Sequence, residues 1–287
     1  MKCRRLCLLL ILLLSAGGCA YPGTRTAQQS IEQNELRSIA GRPPIATELI
    51  VSSYTGIAPV MGRYLIGEIE KINPRSTLLV CLPDRKAWDA QLSSIEERDD
   101  LLFLGPLDAF DPANVIAPVA LTHGALIVHA DSACHVPEDL WRALLAKPEP
   151  RVGGNTPEDA ARYQKILDAA GLNAPLDSFV LCPDRSAILL LGYGELDVIC
   201  VDSLEVQSIL ETGGYRVLLS TAPTSRYGAP TCEELYGTVT DERYALAGTA
   251  GMSPEARAYW NSLLVQILPA DAWQAACESC GWIPCLL

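Results

Sequence analysis

Three short stretches carry residue types that could do chemistry. The first, "RVGGNTPEDAARY" (residues 151–163), is a glycine-softened turn that runs into a helix. Asn155 or Thr156 can cap that helix, Pro157 suits its first turn, and Glu158 and Asp159 favour the positive end of its dipole. The turn leaves backbone N–H groups that either receive an anionic ligand or are satisfied by the helix's own capping side chains. The second, "CESC" (277–280), has the spacing of a redox pair, but it ends the last helical stretch without a strand–turn–helix context. A structural bridge within "CESCGWIPC", or free thiols, suits it better. The third is a histidine group: His123, His129 and His135, with Cys134 beside them. On an extended strand His123 and His129 would face one side, yet the spacing follows none of the common close metal-ligand patterns. We therefore expect no metal and no cofactor. No serine–histidine–acid set or paired-carboxylate arrangement stands out, and "GGNT" lacks the lysine of a phosphate-binding loop. The residues describe a binding protein, not an enzyme.

The ends of the chain say where such a protein works. Lys2, Arg4 and Arg5 precede the apolar run "LCLLLILLL" (6–14), too short for a spanning helix, and small residues lead to Cys19. This resembles a bacterial lipoprotein signal (1–18) with Cys19 as the lipidated residue, although Ala16 stands where a leucine is usual. The alternative is a plain secretory signal; in both cases the chain is exported to an extracytoplasmic place, the periplasm. Residues 19–44, polar and poor in large apolar side chains, read as a tether. Removing residues 1–18 takes the formal charge from −12 to −15, because three basic residues are lost. So acidic a chain has no surface for nucleic acid, and any anionic guest must be held by local dipoles and a few chosen side chains. Eight cysteines follow Cys19, a count that permits disulfides but does not fix their pairing.

Beyond the tether, β-runs alternate with helical spacing. "TELIVSSYTG" (47–56) and "STLLVCLPD" (76–84) are strand-like and each leads into a helix (58–72 and 85–97), and "DLLFLGP" (100–106) is a buried strand. Continuous apolar strands between helices predict a parallel sheet covered on both faces. The alternation pauses at "NVIAPVALTHGALIVHAD" (114–131), where two β-runs follow without a helix, and then resumes to about 220. A helical pair near 253–268 and 270–280 closes the chain. Two α/β units joined at the pause are expected, with ligands beyond the carboxyl ends of the strands where helices begin. We place one lobe at 45–123 plus 243–287 and the other at 124–242.

The ordered series "ELIVSSYTG", "LLFLGPLDAF", "VIAPVALTHGALIVHADS", "VPEDLWRALLAKPEPRVGGNT", "LLLGYGELDVICVD" and "YRVLLSTAPTSRYGAPTCEELYG" resembles the substrate-binding proteins of tripartite tricarboxylate transporters, the Bug-type extracytoplasmic solute receptors. The resemblance implies a type II periplasmic-binding-protein fold, two α/β lobes with a hinge and an interlobe cleft. It also implies a small organic anion, a di- or tricarboxylate or another carboxylate, as ligand and membrane permease subunits as partners. Carried over by position, the ligand loops are Ser53, Tyr54, Thr55 and Gly56; Gly105 to Asp108; Gly154, Asn155 and Thr156; and the stretch around Arg185 and Ser186, with Asp202 near the cleft. The first loop departs from the family's proline–glycine–glycine turn and following aspartate, keeping only Gly56, which disfavours an amino-acid ligand. Tyr54 can stack on a ligand or pack on its own lobe. Arg185 can grip a carboxylate or pair with Asp184, and Asp108 and Asp202 are commonly caps. Two alternatives stay open: a non-transporting sensor or interaction protein on the same scaffold, and a thiol–disulfide oxidoreductase using Cys277 and Cys280.

Overall fold

The computed structural model describes residues 47–286 apart from 53–55, 75–76, 84, 94–97, 147–148, 173–177, 183–185 and 239. Its strands form two sheets. The first contains β1 (Thr47–Ser52), β2 (Thr77–Leu82), β3 (Leu101–Pro106), β4 (Val115–Thr122), β10 (Glu242–Gly248) and β11 (Ile283–Pro284), in the order β11-β4-β10-β3-β1-β2. The second contains β5 (Gly124–His129), β6 (Val152–Gly154), β7 (Val180–Leu181), β8 (Val198–Asp202) and β9 (Tyr215–Ser220), in the order β7-β6-β8-β5-β9. Both sheets lie within one compact unit.

Apolar runs became buried strands for the expected reason: helices cover both faces, so neither parity of side chain meets water. In β3, Leu101, Leu102, Phe103 and Leu104 are all buried, and β8 is buried along its whole length. Helix α1 (Ile57–Ile72) buries Ile57, Ala58, Met61, Leu65 and Ile69, the stripe its spacing predicts. At Gly62 a Cβ would lie 2.9 Å from Leu79 Cδ1, so glycine lets this helix settle close on the sheet. Trp260, Trp273 and Trp282 complete that core from the carboxyl-terminal segment, which holds α8 (Pro254–Ile267) and α9 (Asp271–Ser279). Between them in sequence come α2 (Arg85–Leu92), α3 (Pro137–Leu144), α4 (Pro157–Ala169), α5 (Ala187–Gly192), α6 (Ser203–Glu211) and α7 (Cys232–Tyr236).

One feature sharpens the sequence reading and one departs from it. The pause at 114–131 is a change of sheet: β4 ends at Thr122 in the first sheet and β5 begins at Gly124 in the second, leaving His123 at the crossover. The return is made by β10, whose "ERYALAG" the sequence reading left unassigned; it runs antiparallel between β3 and β4.

Strand register fixes which ends of the sheets lie at the crossover. Glu242 pairs with Thr122 and Tyr244 with Pro106, so the carboxyl ends of β3 and β4 and the start of β10 share one edge. Because β1 and β2 run parallel with β3, their carboxyl ends share it too. In the second sheet Gly124 pairs with Asp202, which brings the carboxyl ends of β8 and of its parallel neighbour β6 to the same crossover. The start of α1 on one side, and those of α4, α5 and α6 on the other, therefore lie at the crossover ends of their sheets.

Candidate functional site

On the second sheet's side, the turn after β6 shows where the helix-start donors go. Thr156 caps α4, its Oγ1 accepting from the Asp159 N–H at 3.2 Å. The Asp159 carboxylate reaches back, Oδ2 accepting from the N–H groups of Asn155 and Thr156, each at 3.0 Å. At Asn155 and Thr156 the structure thus holds the capping alternative: donors expected to await an anion already have one, from their own helix.

That carboxylate is fixed in turn by Arg162, whose Nη1 donates to Asp159 Oδ1 at 2.7 Å one helical turn on. Both side chains are buried, and Nη2 of Arg162 lies 3.9 Å from Glu242 Oε2 at the start of β10. Two glycines make the space. A Cβ on Gly124 would come within 2.5 Å of Arg162 Cδ and 2.4 Å of the Val201 carbonyl oxygen; one on Gly154 would come within 2.7 Å of Asp159 Cβ. Burial pulls the guanidinium down, but the neighbouring acids, Asp159 chiefly, hold Arg162 above the ordinary arginine range and fully charged.

Asn155 joins three helix starts. Its backbone N–H serves Asp159, its Oδ1 accepts from the Ala187 N–H of α5 at 3.0 Å, and its Nδ2 donates to Glu205 Oε2 of α6 at 2.7 Å. Asp202, the cap of α6, accepts from the Glu205 N–H at 3.2 Å. Burial, with Asp159 adding repulsion against the relief of Arg162, pushes Asp202 up to about 6. Burial, with Glu242 and Asp159 nearby, pushes Glu158 up to about 7. His123 donates to or accepts from Tyr227 Oη through Nε2 at 2.9 Å; burial and then Arg226 and Arg162 pull it down to about 3, so it is neutral. His123 Nδ1, Ser203 Oγ and Glu158 Oε2 are buried without a hydrogen-bond partner.

Comparison with solved structures identifies the fold. A TctC solute-binding protein from Polaromonas, without ligand, superposes with a TM-score of 0.60 at 21% identity, covering 85% of this chain and 91% of that one. The periplasmic binding protein BugD superposes at 0.64 and 12% identity, over 84% and 89% of the two chains. An R. palustris protein with adipate superposes at 0.68 and 15% identity, over 85% and 90%. The chain has the Bug and TctC solute-binding-protein fold. No protein-family model matches the sequence, and no curated protein matches it.

Within this Bug-type fold the residues expected at the site fall into three groups. Gly154, Asn155, Thr156, Ser186 (the cap of α5) and Asp202 are brought together at the crossover end of the second lobe. On the first lobe Gly56 caps α1, whose first turn carries no acid. Asp108 is exposed in a 3-10 turn after β3, and the bare face of Gly105 is covered by Trp88 and Phe110, so that glycine serves packing. Ser53, Tyr54, Thr55, Arg185 and the lipidation residue Cys19 lie outside the described residues.

The other chemistry-bearing residues separate. His129 ends β5 against Tyr215, away from His123, because the strand does not run through the crossover. All eight described cysteines are thiols, so no bridge closes within "CESCGWIPC". Cys277 is packed in the first core, and burial, with Cys280 and Cys285 nearby, pushes it up to about 12. Among the described residues, two open hollows lie elsewhere: one of about 690 Å³ beside His129, Arg151 and Asp197, and one of about 530 Å³ between Arg226 and Trp282. Neither is lined by the residues gathered at the crossover. Sequence reasoning missed Arg162 and Glu242, and no local signal marks them, since their burial depends on Gly124 and on the return of β10.

Proposed function

We propose that this protein is an extracytoplasmic solute-binding lipoprotein, anchored through Cys19, that captures a small organic anion in its interlobe cleft for a tripartite tricarboxylate-type transporter. The observation that carries the reading is the strand register, which puts helix starts of both sheets at the crossover ends, on a fold shared with a protein solved with adipate. Helix starts present N–H dipoles to negative charge, and each charge-assisted hydrogen bond contributes about 1.5–3 kcal/mol, so a few suffice for micromolar capture near −8.2 kcal/mol. Closing one lobe on the other excludes water and strengthens those bonds. The closed form then docks on membrane permease subunits, and no catalytic step is required of it.

One observation favours a second reading, a sensor or interaction protein on the same scaffold: Asp159 already fills the α4 donors. The oxidoreductase reading is disfavoured by the buried, proton-retaining thiol of Cys277, since such enzymes need an accessible thiolate. A thermal-shift screen of the mature chain against mono-, di- and tricarboxylates tests the proposal. The receptor reading expects at least one acid to raise the melting temperature in a concentration-dependent way; a flat response across the panel favours the sensor.

A further inference from the structure

We infer that the turn at Gly281 is a latch between the lobes: held from the second lobe by Arg226 and Tyr227, it releases as the cleft closes on solute, and so limits how tightly the receptor binds. This deepens the receptor reading above and rests on it.

Two connections join the sheets, the single residue His123 between β4 and β5 and the segment 221–241 between β9 and β10. Arg226 and Tyr227 stand on the second connection and meet the turn that leads from α9 into β11. Arg226 Nη1 donates to the Gly281 carbonyl oxygen at 2.9 Å. Gly281 has φ +72°, and a Cβ there would lie 3.2 Å from both Ser203 Cβ and the Ser203 carbonyl oxygen and 3.5 Å from Tyr227 Oη. Glycine therefore permits both the turn and the close approach. Tyr227 Oη is bonded to His123 Nε2 at 2.9 Å, and the His123 carbonyl accepts from the Ser203 N–H at 2.7 Å. Leu204, next along α6, packs against the first lobe's core. The last segment of the first lobe is thus tied to both connections.

Sheet order gives the latch its sense. In the first sheet, β1 and β3 lie on one side of the crossover strands β10 and β4, and β11 lies on the other. In the second sheet, β6, which leads to Asn155 and Thr156, lies on one side of β5, and β9, which leads to Arg226, on the other. The flanks bearing β9 and β11 are the ones the latch joins. Rotation about the crossover strands that brings the loops after β1, β3 and β6 together therefore draws the latched flanks apart. The latch can also give way. His123 Nδ1, Ser203 Oγ and Trp282 Nε1 are buried in or beside it without a hydrogen-bond partner, and they gain water when it opens. The hollow of about 530 Å³ lined by Arg226 and Trp282 leaves the seam room to move. A latch that holds the lobes apart lowers the closed fraction, and apparent affinity falls with that fraction.

The test is titration calorimetry of the mature chain with adipate, malate and citrate, paired with small-angle X-ray scattering. Arg226→Met, which keeps the stem and removes the donor, should bind the best of these acids at least about threefold tighter than wild type. Its ligand-free radius of gyration should move toward the smaller value of the bound wild type. Tyr227→Phe serves the same comparison if Arg226→Met fails to give the wild-type circular dichroism spectrum. Equal or weaker binding by a folded variant overturns the inference and leaves the receptor reading intact. So does a ligand-free radius of gyration unchanged from wild type. Silence from all three acids overturns both.

Discussion

The starts of α1 and α4 are alike in kind and differ in the residues that follow. Each follows a strand of a parallel pair, each has glycine at or just before its first turn, and register brings both to crossover ends. Helix α1 opens on buried Ile57 and Ala58 with no acid in its first turn, whereas α4 opens on Thr-Pro-Glu-Asp and is closed by its own aspartate. The difference teaches that a strand–turn–helix connection supplies a place for negative charge, and at α4 the next four residues fill it from within the protein.

The largest expected effect comes from breaking the internal occupant on one side only. Arg162→Met leaves Asp159 buried without its cation and should lower unfolding free energy by about 3–5 kcal/mol in a urea titration. D159A/R162M, with both charges gone, should lose clearly less. A double variant as unstable as the single one would mean that the pair itself stabilises the lobe and that the asymmetry is structural.

Next come two glycines, one from each region. A Cβ at Gly154 would sit 2.6 Å from the Cys200 carbonyl oxygen, so Gly154→Ala should destabilise by about 1–3 kcal/mol. Gly67 lies exposed inside α1 with open space around it, and Gly67→Ala should stabilise by about 0.5–1 kcal/mol. Similar responses at the two positions would erase the contrast.

The smallest effect is one of pH. Burial pushes folded Glu158 up to about 7 from the ordinary 4.5, so the folded state holds the extra proton between those values. Stability from this group is therefore present at low pH and is lost as pH rises toward 7. Glu158→Gln should remove that slope, a difference of about 1 kcal/mol between pH 5 and 7.5 after discounting its partial exposure. His123 works the other way: its folded value near 3 lies below the ordinary 6.5, so stability falls as pH drops through that window. Comparing Glu158→Gln with wild type at each pH isolates the carboxyl from the histidine.

Much of the architecture was legible because it rests on local pattern. "LLFLGP" can only be a strand buried on both faces, and α1 declares itself by its apolar stripe. "ERYALAG" did not, since its small Ala245 and Ala247 are buried by the company of β3 and β4 and not by their own bulk. At the site, "NTPED" announced a capped helix, but sequence could not tell which acceptor the amides would meet. Arg162 sits in "EDAARYQ" like any surface arginine; Gly124, distant in sequence, gives it room inside. The separation of His123 from His129 was not legible for a similar reason, because a continuous strand and a change of sheet have the same apolar composition.

Amide hydrogen exchange at Asn155 and Thr156 in the ligand-free protein tests the central claim most directly. If Asp159 fills this seat from within, both amides exchange slowly before any ligand is added, and D159A/R162M makes them fast. Fast exchange in the wild type, slowed only when a carboxylate is supplied, would contradict the account.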